Sequence, residues 1–113
     1  LEKGVEVNKV KPTMAGAKNF NFEVFTYREH AQLRMFQRNI SAEEIEQTIE
    51  YGEKIEDYPT DTPFPSCLMF KVINDRPIHV VLGINGNEGF IISLYEPSID
   101  KFEKDFKTRK PKK

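Results

Sequence analysis

His30, Arg34 and Arg38 recur every four residues in the run Tyr27-Arg28-Glu29-His30-Ala31-Gln32-Leu33-Arg34-Met35-Phe36-Gln37-Arg38. On an α-helix this spacing puts one titratable group and two permanent cations along a single face. An imidazole exchanges protons near neutral pH, and a guanidinium grips a phosphate or carboxylate as a planar fork. A second histidine, His79, stands in Pro77-Ile78-His79-Val80-Val81, and Tyr95 ends Ile92-Ser93-Leu94-Tyr95. His30, His79, Arg34, Arg38 and Tyr95 are the candidate catalytic set: acid and base, two anion clamps, and a phenol that can give a proton or stack on a ring. Whether they act together depends on whether the fold carries His30 to His79.

The elements that must position them show as hydrophobic periods. Thr26 and Glu29 have the form of a capping box for a helix running to about Arg38, which Asn39 ends in a left-handed conformation. Ser41 and Glu44 form a second box, Ile40 and Ile45 a hydrophobic staple, and Gly52 closes the second helix. From Lys54 the period shortens. Ile55 to Tyr58 reads as an edge strand, and Pro59 to Pro65, with three prolines, as a loop or extended rim. Cys67 to Ile73, Pro77 to Ile84 and Phe90 to Tyr95 read as strands joined by turns at Asn74-Asp75-Arg76 and Asn85-Gly86-Asn87-Glu88-Gly89. The Leu68, Ile78 and Phe90 series are expected to pack on the helices, leaving His79, Ser93 and Tyr95 on the opposite, more open face. A short helix is expected from Lys101, with Phe102 and Phe106 on one side. The expected fold is α+β: two N-terminal helices packed on a three- to four-stranded antiparallel sheet, followed by a short C-terminal helix. Residues 1–19 read as a flexible arm or tag, 20–107 as one domain and 108–113 as a basic tail.

At 113 residues the chain has room for one domain. Its apolar stretches are strand-sized, so no membrane span is expected, and no apolar N-terminal segment marks a signal peptide. Leu1 is not a methionine, so Leu1-Glu2 reads as a cloning remnant or as part of a larger chain; Met14 is another candidate start. Cys67 is the single cysteine. No disulfide framework follows, and a reducing cytoplasm is the expected location. One cysteine and two histidines show no ligand spacing, so neither metal nor cofactor is expected. A net charge of −1 weighs against a generic nucleic-acid binder. The charge is uneven, however: residues 43–57 are acidic and 101–113 strongly basic, so a near-neutral total can hide a local cationic surface.

Three motifs carry a family resemblance: His30-Ala31-x-x-Arg34-Met35-x-x-Arg38-Asn39-Ile40-Ser41, Pro77-Ile78-His79-Val80-Val81, and Ile92-Ser93-Leu94-Tyr95-Glu96-Pro97. Together, over roughly residues 27 to 109, they resemble a bacterial domain-of-unknown-function family numbered 4258. Asn39 departs from the family's usual glycine but tolerates the same left-handed backbone. That family is similar in fold to the RelE/ParE toxins. The resemblance implies a toxin that cleaves RNA without a metal, held inactive by a cognate antitoxin of zinc-finger, helix-turn-helix type.

Such cleavage needs a base for the ribose 2′-hydroxyl, an acid for the leaving 5′-oxygen and a cation for the phosphorane. His30 and His79 suit the first two roles, Arg34 and Arg38 the third, and Tyr95 a proton donor or stacking surface. Plainer roles exist for each. His30 can bond a neighbouring carbonyl, and Arg34 and Arg38 can be a solvated face or pair with Glu43, Glu44 or Glu46. His79 can be structural, and Tyr95 can pack at a sheet edge. Two further functions fit the same residues: a non-catalytic protein- or RNA-binding module, and the C-terminal toxin domain of a larger effector.

Overall fold

The computed structural model describes residues 18–111. Its elements are β1 (Val24–Tyr27), α1 (Glu29–Arg38), α2 (Ala42–Tyr51), β2 (Glu53–Tyr58), β3 (Ser66–Ile73), β4 (Arg76–Asn85) and β5 (Glu88–Tyr95). The strands form one five-stranded sheet in the order β1-β5-β4-β3-β2. Strands β2 to β5 meander antiparallel, whereas β1 lies parallel to β5, with Val24 opposite Glu88 and Tyr27 opposite Ile91. This corrects the expected fold. The sheet is mixed and has five strands, a strand precedes the helices, and no helix follows β5 among the described residues.

Val24-Phe25-Thr26-Tyr27 is a run of good strand formers, but it is only four residues long and its partner lies at the far end of the domain. Thr26 therefore caps nothing: its hydroxyl donates to Glu88 at 2.5 Å. Helix α1 starts at Glu29 from an extended Arg28 with no side-chain cap. The other helix signals hold. Asn39 takes φ 54°, and Ser41 and Glu44 close a reciprocal box at 3.1 and 2.9 Å. Ile40 and Ile45 are buried together in the core. Gly52 ends α2 in an extended conformation, φ −83°. Glycine is required there by close approach, since a Cβ would lie 2.3 Å from the Thr48 carbonyl oxygen and 2.5 Å from that of Phe70.

Helix α1 packs on β5, and α2 on β3 and β4. The core between helices and sheet holds Ala31, Ile45 and Ile49 against Cys67, Met69, Ile78, Val80, Leu82, Ile91 and Leu94. Two facings differ from expectation. In β3 the odd residues Cys67, Met69 and Ile73 face the helices; Leu68 and Phe70 lie opposite Val81 and His79 on the other face. Both alternating sets of β3 are mostly apolar, so the period alone does not choose between them. In β5 a bulge falls between the Val81–Ser93 and Leu82–Ile91 pairs. One extra residue reverses the parity of the strand. Leu94 and Ile91 thus share the helix face, while Phe90 lies on the open one opposite Gly83.

The chain after β5 folds across that open face. Phe102 is buried and bridges to Arg109, with Lys110 N–H donating to the Lys101 carbonyl at 2.9 Å. The expected helix from Lys101 is absent because Asp105 offers the backbone an alternative. Its carboxylate accepts from the Lys107 and Thr108 N–H groups at 2.8 and 3.0 Å and from the Thr108 hydroxyl at 2.9 Å. At the other end, the Asn19 amide donates to the Ile49 and Gly52 carbonyls at 3.1 and 2.8 Å. The rest of the expected arm, residues 1–17, and the last two residues of the expected tail lie outside the described residues. Among the described residues no helix is long and apolar enough to cross a membrane.

Candidate active site

His79 sits in the middle of the open face of β4 and is fully buried. The rings of Phe70, Tyr95 and Phe102 pack around it at centroid distances of 5.5, 5.2 and 4.7 Å. Its Nε2 is 2.7 Å from the Phe106 carbonyl oxygen. A carbonyl only accepts, so Nε2 carries the hydrogen, and in the neutral ring Nδ1 is left as acceptor. The Tyr95 hydroxyl lies 3.3 Å from Nδ1 and is the donor. Burial pushes the His79 pKa below the ordinary value, while the Phe106 bond and the charge of Glu56 act the other way. His79 is therefore neutral at neutral pH and in one tautomer.

The Phe106 carbonyl is presented by unusual backbone. Phe106 has φ +60°, a conformation that L-residues other than Asn, Asp and His seldom adopt. The Asp105 turn brackets it and holds it there. Beside this, Arg109 donates to Glu56 through Nε at 2.6 Å and Nη2 at 3.1 Å, and its guanidinium covers the Phe102 ring at 4.9 Å. The Tyr58 hydroxyl also donates to Glu56. Burial raises the Glu56 pKa, but Arg109 and Tyr58 outweigh it and hold the carboxylate below its usual range. Burial likewise raises the Tyr95 pKa, with Arg109 nearby opposing, so Tyr95 stays protonated.

Above this network opens a cleft of about 490 Å³ lined by Arg38, Tyr95, Glu96, Ser98, Lys101, Phe102 and Arg109. Arg109 is offset by Glu56. Among the described residues Arg38 and Lys101 pair with no carboxylate. The cleft thus offers two uncompensated cations beside a phenol fixed by a buried imidazole. An anion of phosphate type fits that arrangement.

The candidate residues divide into two groups. Arg38 and Tyr95 meet in the cleft, and His79 stands directly behind Tyr95. His30 and Arg34 contact each other at 3.5 Å on α1. His30 is exposed on a helix that packs against the opposite side of the sheet, so the two histidines do not form an acid–base pair. Two of the three acidic partners expected for the arginine stripe are also taken: Arg76 binds Glu44 at 2.9 Å, and the Tyr27 hydroxyl donates to Glu46. Lys101, Arg109, Glu56 and Phe106 were not among the candidates. The Asp105-x-x-Thr108 turn pattern was the available signal that this segment folds back.

A family model described as a domain of unknown function (DUF4258) matches residues 27–96. That span covers α1 to β5, with His30, Arg34, Arg38, His79 and Tyr95, and ends before Ser98, Lys101 and Arg109. No curated protein matches the chain, and no solved structure does.

Proposed function

Since the chain belongs to the DUF4258 family, we propose that it is a metal-independent endoribonuclease of RelE/ParE type, a toxin held in check by a cognate antitoxin in the bacterial cytoplasm. The observation that carries this reading is the cleft in which Arg38 and Lys101 flank a Tyr95 hydroxyl bonded to buried His79. A scissile phosphate seats between the two cations, which offset the charge that builds on it. The attacking 2′-hydroxyl gives its proton to the Tyr95 oxygen as Tyr95 passes its own proton to His79 Nδ1. The imidazolium so formed is stabilised by the Phe106 carbonyl and the Glu56 carboxylate. Bond formation from the 2′-oxygen to phosphorus displaces the 5′-oxygen, which takes a proton from the Lys101 ammonium. The products are a cyclic phosphate and a free 5′-hydroxyl. His79 touches no substrate in this scheme and acts through Tyr95.

A non-catalytic RNA- or protein-binding module is the second reading. The enclosure of His79, with both ring nitrogens occupied, favours it. Inducible expression in bacteria separates the two. Wild type is compared with Tyr95→Phe and Arg38→Ala while growth and total RNA integrity are followed together. The nuclease reading expects growth arrest with RNA fragmentation, and a rate of cleavage by purified Tyr95→Phe lower by roughly 10²- to 10⁴-fold. Intact RNA beside abundant folded wild type rejects it.

A further inference from the structure

A second constellation lies on the same open face, away from the cleft. Phe64, from the loop before β3, stacks on Phe90 of β5 with centroids 5.1 Å apart and planes 6° from parallel. The Arg28 guanidinium lies 5.0 Å from the centroid of the same Phe90 ring. Strand β5 runs between β1 and β4. Arg28 approaches from the β1 side, and Phe64 from the β3 side, where Ser66 pairs with Gly83. Phe64 and Phe90 thus stack across the sheet, and the exposed Arg28 lies over the Phe90 ring.

Helix α1 connects this group to the cleft. It begins beside Ile91, whose carbonyl accepts from the Arg28 N–H at 3.1 Å, and it ends at Arg38, in the cleft with Tyr95. Ten residues of helix span about 15 Å. On β4, Gly83 under Phe90 and His79 behind Tyr95 are four residues apart, about 13 Å of strand. Both routes measure the same gap, the length of a few nucleotides of extended single strand.

We infer that the Phe64–Phe90–Arg28 group is a stacking platform for an unpaired nucleobase, and that Arg38, at the end of α1, takes a phosphate of that single strand in the cleft. This rests on the nuclease reading for the identity of the strand but makes a separate claim about how it is held. An exposed guanidinium over an aromatic ring offers a base both a cation and a planar group to pack on, and every base has a π-face. The ligand is single-stranded nucleic acid: a duplex keeps its bases inside.

Binding is measured by fluorescence anisotropy on the full chain with a 2′-deoxy single strand, which lacks the attacking hydroxyl and so separates binding from cleavage. An abasic strand of equal phosphate count and a duplex are the competitors. Wild type is expected to prefer the base-bearing strand to the abasic one by about tenfold or more. Arg28→Lys keeps the charge and loses the plane; Phe90→Leu loses the ring. Both are expected to abolish that preference and leave abasic binding in place. Arg38→Ala is expected to weaken both strands alike. Equal binding of the two strands by wild type, absence of binding, or a preference unchanged in Arg28→Lys overturns the inference. Arg28 is exposed, so its lysine variant decides the matter even where Phe90→Leu folds poorly. A base preference that Arg28→Lys removes, in a protein that leaves cellular RNA intact, sinks the nuclease reading alone. RNA cleavage by a wild type without base preference sinks the platform alone.

Discussion

His79 Nε2 lies 2.7 Å from the carbonyl oxygen of Phe106, a residue held at φ +60°. This bond sets the tautomer of the imidazole, and through it the direction of the Tyr95 hydrogen bond. It also ties the segment after β5 to the centre of the sheet, so one contact serves both the site and the closure of the fold.

A pH dependence follows from the buried ring. Burial lowers the His79 pKa in the folded chain below its ordinary 6.5. The unfolded chain therefore binds more protons as pH falls through the histidine range, and stability declines there; above that range the contribution is fully present. The urea midpoint of wild type is expected to fall from about pH 7.5 to about pH 5.5, within the range where histidine rather than carboxylate titrates. His79→Gln is expected to flatten that slope. Equal slopes in the two proteins would assign the effect elsewhere.

Gly52→Ala should be costly although nothing about φ −83° forbids alanine. The added Cβ meets two backbone oxygens, of Thr48 and Phe70, neither of which can swing aside. Moving α2 off β3 to admit it is expected to cost about 3 kcal/mol, at the upper end for overpacking. Chemical denaturation at neutral pH reads this directly, and a change under 1 kcal/mol, roughly the floor for overpacking, would contradict it.

Arg76 joins three parts of the chain. It donates to Glu44 of α2 at 2.9 and 3.0 Å, to the Arg38 and Asn39 carbonyls at the end of α1 at 3.2 and 3.0 Å, and to Glu96 at 3.2 Å. Lysine keeps the charge but cannot reach these acceptors as a fork. Arg76→Lys is expected to lose about 1–2 kcal/mol, allowing for partial exposure. A double-mutant cycle with Glu44→Gln should show coupling between them; additive effects would refute the pairing.

Cys67 is fully buried, and desolvation pushes its thiol pKa to about 11. Thiolate is the reactive form. Alkylation at pH 8 is expected to be slow in the native protein and fast in urea, as mass spectrometry would show. Rapid native labelling would mean that β3 opens far more readily than its packing implies.

Local features were legible in the residues alone. The Ser41–Glu44 box, the left turn at Asn39, the end of α2 at Gly52 and the meander from β2 to β5 rest on contacts within a few residues, and composition specifies such contacts. The candidacy of Arg38, His79 and Tyr95 was legible from residue type and period. Features that depend on distant partners emerged only in the folded chain. The β1–β5 pairing closes almost the whole domain, and nothing near Val24 announces Glu88. The apolar residues of β3 alternate equally well on both faces, so the helices chose the core set. A single bulge in β5 turned Phe90 to the open face beside Phe64 and Arg28. Packing of α1 on the other side of the sheet set His79 apart from His30, and Asp105 bent the last segment back over the open face, which buried His79 and brought Lys101 and Arg109 to Tyr95. Periodicity carries the direction of a side chain only as far as the next irregularity, and pairing over long separations is settled by packing.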